Sequence, residues 1–310
     1  MTVAVIDIGT NTVLLLVARF ERDGRLQELL YEQRVPRLGR GVDSRGMLER
    51  GAMDRVIGVL NEYRGLMAPY APEATAVCGT SAVRDAANRE EFADRVRRET
   101  SFDLEILSGD EEALLTYRGG VSGAPAAARY TVVDIGGGST EIITGGARSI
   151  DARISLDIGS VRLTERFLRH DPPLPAELEK AIDLTEQEIE RAALFPFEGS
   201  TLVGVAGTAT SLAVLAQDLK EFDINAVTNY ALGRDRVESL FRSLCVMPSS
   251  AIRGLSRVME GRSDVIVAGT LIAREIMAHY GFASMIVSER GVRYGIALRE
   301  AERLAGTQGS

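Results

Sequence analysis

The stretch Thr131-Val132-Val133-Asp134-Ile135-Gly136-Gly137-Gly138-Ser139-Thr140-Glu141-Ile142-Ile143 reads as strand, tight turn, strand. An apolar β-branched run ends in Asp134, passes three glycines and resumes as a second β-branched run. Three successive glycines leave a row of backbone N–H groups with no side chains above them, a concave nest suited to a phosphate oxygen or another anion. One such turn can equally be there for its conformational freedom alone.

The pattern recurs at the start of the chain. Val3-Ala4-Val5-Ile6-Asp7-Ile8-Gly9-Thr10-Asn11-Thr12-Val13-Leu14-Leu15-Leu16 superimposes on it without a gap. Asp7 falls on Asp134, Gly9 on Gly136 and Thr12 on Ser139. Two copies, each opened by Asp, favour phosphate loops over ordinary turns and imply two similar half-molecules. Leu14 falls on Glu141, so only the second copy carries a carboxylate inside its returning strand; such local conflicts tend to mark functional sites.

Composition narrows the class. A length of 310 residues favours two domains at ~100–200 residues each. Apolar content of 45% with 26% charged residues belongs to a globular chain with an ample core. A net charge of −8 argues against a nonspecific nucleic-acid or membrane-surface binder. Cys78 and Cys245 are isolated, which argues against disulfides and thiolate zinc, and Cys78 sits in an apolar run as a core residue. His170 and His279 share no metal-ligand spacing. The N-terminus lacks a signal-peptide pattern and no apolar run reaches the ~20 residues that span a bilayer, so a cytoplasmic protein is expected.

After the first hairpin and an Asp23-Gly24 turn, a strand is expected over 26–35, a loop over 41–46 and a helix over 47–67. A short strand at 74–78 passes through Gly79-Thr80-Ser81 into one helix to about residue 99, and a strand at 104–107 precedes a helix opened by Ser108. The Gly-, Ser- and Ala-rich segment 119–128 is the natural boundary, giving domains 1–124 and 125–310. The second half repeats the plan. A strand at 202–205 enters a helix through Ala206-Gly207-Thr208, and Ser263 and Asp264 are expected to cap a helix to about residue 280. A last strand at 285–287 and a helix at 293–304 precede a tail from 306 expected to be disordered. The expected architecture is mixed α/β with the site between the halves.

Ser108-Gly109-Asp110-Glu111-Glu112 places three acids in a first helical turn, where they favour the helix dipole, and Ser108 with Glu111 fits a capping box. That leaves Glu112 free to act as general base. Arg84 fits a phosphate clamp, and on one continuous helix Asn88 would share its face at i+4; a surface arginine fits the spacing equally well. Gly204, Gly207 and Thr208 lie where a strand feeds a helix N-terminus, a ready anion site, although glycine there also permits close packing. Arg293 could add basic character to the same region or stand on a surface turn. Asp7, Asp134 and Glu141 lack any His partner, and such carboxylates suit Mg²⁺ better than zinc; Asp7 or Asp134 could instead hold its own turn.

Taken in order, the two hairpins, the 79–88 segment, the 108–113 segment and Gly204-Val205-Ala206-Gly207-Thr208 resemble the exopolyphosphatase / guanosine pentaphosphate phosphohydrolase family, up to Gly295. The resemblance implies two domains of the actin-like ATPase fold, ribonuclease H-like and shared with sugar kinases and the seventy-kilodalton chaperones. It implies removal of the terminal phosphate from polyphosphate or guanosine pentaphosphate, the latter a link to the stringent response, with Mg²⁺. The matching base is Glu112, the matching phosphate-contacting arginine Arg84, and the matching metal-associated acids Asp134 and Glu141. Gly9, Thr10, Asn11, Thr12 and Gly136, Gly137, Gly138, Ser139, Thr140 match the phosphate loops. Asn88, Gly207, Thr208 and Arg293 complete the expected substrate contacts, and family analogy implies a homodimer. Many members carry a C-terminal helical extension that helps hold long polyphosphate, and this chain ends after the two core domains, which leaves processivity open. Tyr294 stands where many members have Glu, so the substrate could be read differently there. Two other readings keep the residues: a phosphotransferase to nucleoside diphosphates using 204–208, and a noncatalytic sensor of guanosine tetra- or pentaphosphate. A chaperone-like ATPase is weaker, since no peptide-binding domain follows the core.

Overall fold

A computed structural model describes residues 1–21, 26–147 and 149–307, so the expected Asp23-Gly24 turn lies outside the described residues. The chain divides into two units, Met1–Leu115 with Val292–Ser310, and Thr116–Gly291.

The first unit contains β1 (Thr2–Ile8), β2 (Val13–Phe20), β3 (Leu26–Arg34), β4 (Ala74–Gly79) and β5 (Leu104–Ile106), in sheet order β3-β2-β1-β4-β5. The first three are antiparallel neighbours, while β4 and β5 run parallel to β1. The second unit contains β6 (Tyr130–Ile135), β7 (Thr140–Gly145), β8 (Ile150–Leu156), β9 (Thr201–Val205), β10 (Ala231–Gly233) and β11 (Ser284–Val287), in order β10-β11-β9-β6-β7-β8. Read from β8 to β11, this repeats the first order strand for strand, with β10 added at the edge. The duplication therefore covers each sheet.

Central β1 and β6 read as continuous apolar runs because helices cover both faces of each sheet. In β1, Ala4, Ile6 and Ile8 pack with Met53, Val56 and Leu60 of the helix Arg50–Met67. The alternate residues Val3 and Val5 pack with Tyr294, Ile296 and Ala297 of the helix Val292–Thr307. In the second unit, Val133, Ile135 and Ile142 share a core with the helices Ala206–Ala216 and Ile266–His279.

Several local expectations change. The helix Gly109–Gly123 runs through the supposed boundary, because Gly120 lets it close on its sheet: a Cβ there would lie 3.1 Å from Val132 Cγ1 and 3.2 Å from Val205 Cγ1. The last helix belongs with the first unit, where Gly295 leaves no room for a Cβ against the Leu115 backbone. The units thus differ from a division at 124/125. The single helix expected after Gly79 is two, Ser81–Asp85 and Arg89–Thr100, with Ala86 extended between them. The loop at 41–46 contains a one-turn helix, Val42–Arg45, flanked by Gly41 and Gly46 at positive φ. Ser263 and Asp264 do not cap the helix that starts at Ile266; amides 262, 263 and 265 already bond back to Met259 and Arg262, and that turn carries the chain in. The final helix continues to Thr307, past the expected start of the tail; residues 308–310 lie outside the described set. Among the described residues, no helix is long and apolar enough to cross a membrane.

Candidate active site

Each hairpin loop is tied the same way. Gly9 N–H donates to Thr12 O at 2.9 Å, and Gly136 N–H to Ser139 O at 3.0 Å. In the first unit the carbonyls of Thr10 and Asn11 accept from Gly39 N (2.8 Å) and Arg37 N (3.1 Å). In a planar trans peptide the N–H points opposite its C=O, so the amides of Asn11 and Thr12 turn away from that segment. In the second unit the start of the helix Ser160–Phe167 takes the loop carbonyls: Ser160 N donates to Gly136 O, and Val161 N and Arg162 N to Gly137 O, at 2.9–3.0 Å. Arg162 Nε donates to Gly138 O at 2.7 Å. The amides of Gly137, Gly138 and Ser139 therefore turn the other way, as an anion nest needs. Gly159 makes this approach feasible, since a Cβ there would sit 2.5 Å from the Gly137 carbonyl carbon.

Glu112 lies in the first turn of the helix Gly109–Gly123, and only 7% of it is exposed. The capping box forms as expected: Ser108 N and Oγ donate to Glu111 Oε2 at 2.9 and 2.7 Å, and Glu111 N donates to Ser108 Oγ at 3.2 Å. Glu111 is thereby occupied, while Glu112 accepts from Arg84 Nη1 at 2.6 Å. The same nitrogen reaches Leu107 O at 3.2 Å. Burial raises the Glu112 carboxyl above its usual range, and the Arg84 guanidinium pulls the other way.

Asp7, at the end of β1, is as buried as Glu112, and its Oδ1 has no hydrogen-bond partner among the described residues. Burial, reinforced by the Glu112 charge and opposed by Arg293, pushes its carboxyl up to about 7. Arg293 does not stand on a surface turn but in the last helix, Val292–Thr307. It is 6% exposed, with its guanidinium carbon 4.8 Å from the Tyr31 ring centroid and 5.3 Å from that of Tyr294. Tyr294 is buried too, and its hydroxyl donates to Glu28 on β3 at 2.6 Å, which docks the last helix.

In the second unit Asp134 and Glu141 stand directly opposite each other on β6 and β7, and Glu141 stands opposite Ser155 on β8. Paired residues share a face of the sheet, and Ser155 Oγ donates to Glu141 Oε1 at 2.7 Å. Asp134 and Glu141 are 7% and 1% exposed. This is an all-oxygen set of hard donors, which fits Mg²⁺ and not zinc. Among the described residues no group of three or more His, Cys, Asp or Glu assembles as a metal cage.

Other expected contacts have structural duties. Thr140 Oγ1 donates to Ile158 O at 2.7 Å and Thr208 Oγ1 to Ile135 O at 2.8 Å, tying strand ends to their neighbours. Asn88 does not share a helical face with Arg84, because the helix breaks at Ala86; its amide pairs with both backbone groups of Leu48 at 2.8 and 3.0 Å. Gly204 makes room for Met285 and Gly207 for the Arg262 guanidinium, so glycine at both positions permits close packing. Ala206, between them, holds a positive φ of 63°, a strained conformation of the kind that clusters at functional sites. Sequence reasoning missed Ser155, whose signal was its place opposite Glu141 in a third strand, and the 36–41 segment behind the first loop.

The fold is two duplicated α/β units, each with a glycine-bearing hairpin loop; the first holds a buried acid–arginine pair and the second an oxygen-rich strand row. The chain belongs to the Ppx/GppA phosphatase family, whose model matches residues 16–304. It is 38% identical to exopolyphosphatase 2 of Mycobacterium tuberculosis over 96% of this chain and 97% of that protein. It is 30% identical to a guanosine-5'-triphosphate,3'-diphosphate pyrophosphatase of Vibrio atlanticus over 89% of this chain and 58% of that protein. A crystal structure of the Aquifex aeolicus family member superposes with a TM-score of 0.83 at 32% identity, covering 98% of each chain.

Proposed function

We propose that the protein hydrolyses terminal phosphoanhydride bonds, releasing orthophosphate from inorganic polyphosphate or guanosine pentaphosphate. The observation that carries this is Glu112, a buried carboxylate held by Arg84, whose burial raises it above the usual carboxylate range, in the direction that suits a general base. The family and the names of its relatives support the same chemistry. Backbone amides of the 9–12 loop in the first unit, and of the 136–139 loop in the second, are each suited to phosphate oxygens. Glu112 orients the attacking water and accepts its proton, and the further donors of Arg84 meet charge on the transferring phosphoryl group. Asp134 and Glu141 would hold Mg²⁺, which supplies charge neutralisation when bound. A cytoplasmic homodimer completes the proposal by family analogy.

The test is orthophosphate release from polyphosphate and guanosine pentaphosphate, with Mg²⁺, by wild type and Glu112→Gln. Glu112→Gln is expected to lose ~10²–10⁴-fold in kcat while retaining binding. Binding without release in wild type would replace the hydrolase with a sensor. Release untouched by the substitution would keep the enzyme and remove Glu112 as its base.

A further inference from the structure

Residues 155–162 hold the second hairpin from Gly136 to Glu141. Ser155 Oγ donates to Glu141, and the Ile158 carbonyl accepts from Thr140 Oγ1. Ser160 reaches Gly136 O with its amide at 2.9 Å and its hydroxyl at 3.2 Å. The amides of Val161 and Arg162 take Gly137 O at 2.9 and 3.0 Å. Gly138 O differs, because its donor is a long side chain: Arg162 Nε, at 2.7 Å, in a charge-assisted bond. On the other side of the loop, the amides of Gly137, Gly138 and Ser139 make no hydrogen bond among the described residues, and Ser139 is only 3% exposed. Buried amides without a protein partner cost free energy unless something else accepts from them.

In a planar trans peptide, a held carbonyl fixes the direction of the next residue's N–H. Backbone donors on Gly136 O and Gly137 O therefore aim the amides of Gly137 and Gly138. For Ser139 the aim depends, among the described residues, on the Arg162 side chain. Glycine at 138 gives that peptide an easy way to turn once the side chain lets go.

We propose that Arg162 is a positioning residue for the phosphate nest: its Nε–H fixes the Gly138–Ser139 peptide so that the Ser139 amide meets an oxygen of the bound phosphate. The guanidinium acts from the carbonyl side of the loop, through the peptide and not by contact with phosphate. The inference rests on the anhydride-hydrolase reading above and assigns a determinant of phosphate affinity to it.

Side-chain length separates the placed donor from the charge. Gln carries an N–H donor as many bonds from Cβ as Arg Nε, without the charge, and Met puts a methyl group there. Lys keeps the charge and places its donors one bond further out. Arg162→Gln, Arg162→Met and Arg162→Lys are compared with wild type for kcat and KM on polyphosphate with Mg²⁺, for equilibrium binding of orthophosphate, and for Tm. Arg162→Met is expected to raise KM and the orthophosphate Kd about tenfold, the weight of one hydrogen bond to a charged group, with kcat changed less than about threefold and Tm close to wild type. Arg162→Gln should bring KM and Kd back to within about threefold of wild type, and Arg162→Lys should recover less than Gln. Lys matching Gln would assign the effect to charge and overturn the proposal. Gln losing as much as Met, or a fall in Tm with KM and Kd unchanged, would overturn it too. If Arg162→Met does not fold, Gln against Lys decides alone. If wild type releases no phosphate, the hydrolase reading fails, and the orthophosphate titration still tests Arg162.

Discussion

The two hairpins share a register, and the residue opposite their aspartate sets them apart: Asp7 stands opposite Leu14, Asp134 opposite Glu141. With an apolar neighbour and, among the described residues, no partner for Oδ1, Asp7 meets a burial penalty that Arg293 only partly offsets, and it keeps its proton up to about 7. In the second unit the same position opens a row of Asp134, Glu141 and Ser155 across three strands. Duplication thus supplied two equal frames, and the residues opposite the aspartate, Leu14 and Gln33 against Glu141 and Ser155, separate an acid that resists ionisation from a set of oxygens suited to a hard cation.

The comparison can be broken from either side. The largest effect is expected from Glu141→Gln, which removes the charge that distinguishes the second hairpin. On the proposal that Glu141 holds Mg²⁺, its loss should lower kcat by about 10²-fold or more, a few kcal/mol of transition-state stabilisation, and raise the Mg²⁺ concentration needed for half activity. Unchanged Mg²⁺ dependence would remove Glu141 from the metal site. Next comes Asp7→Asn, read as stability against pH. The folded carboxyl keeps its proton up to about 7, whereas an unfolded Asp loses it near 4. Between these values the folded state binds more protons, so wild-type stability falls as pH rises through that window and then levels. Asp7→Asn abolishes this slope, so relative to wild type it should gain a few kcal/mol between pH 4 and pH 8 in chemical denaturation. Parallel curves for the two proteins would mean that Asp7 ionises normally. The smallest effect is Ser155→Ala, which frees Glu141 Oε1 of its hydroxyl donor. A loss of about 1 kcal/mol, read as a several-fold weaker Mg²⁺ dependence with little change in Tm, is expected from one hydrogen bond.

What was legible in the sequence is what local chemistry decides. Both hairpins, their register and the Ser108–Glu111 capping box follow from residues within a few positions of each other. The capping box also singled out Glu112 by elimination. Contacts across long separations were not legible. Arg84 meets Glu112 from 28 positions away, and the helix between Ser81 and Thr100 breaks at Ala86, although Ala86-Ala87 is a strong helix former. Tertiary bonds override that propensity there: Ala87 N donates to Gly46 O at 2.8 Å and Asn88 holds Leu48. Glycine was ambiguous for the same reason. Gly119 and Gly120 look like a linker, and only the position of Val132 and Val205 shows that Gly120 serves packing.

The return of the final helix to the first unit sets an order of events during synthesis. Residues 116–291 form a continuous segment and can complete their own core as they emerge. Val3, Val5, Leu16 and Ala18 are made among the first residues, yet Tyr294, Ile296 and Ala297, which cover them, are made nearly 300 positions later. One face of the earliest sheet therefore stays open to solvent while the rest of the chain is translated. That interval is when the nascent protein most needs protection from aggregation, and the unit built first is the one finished last.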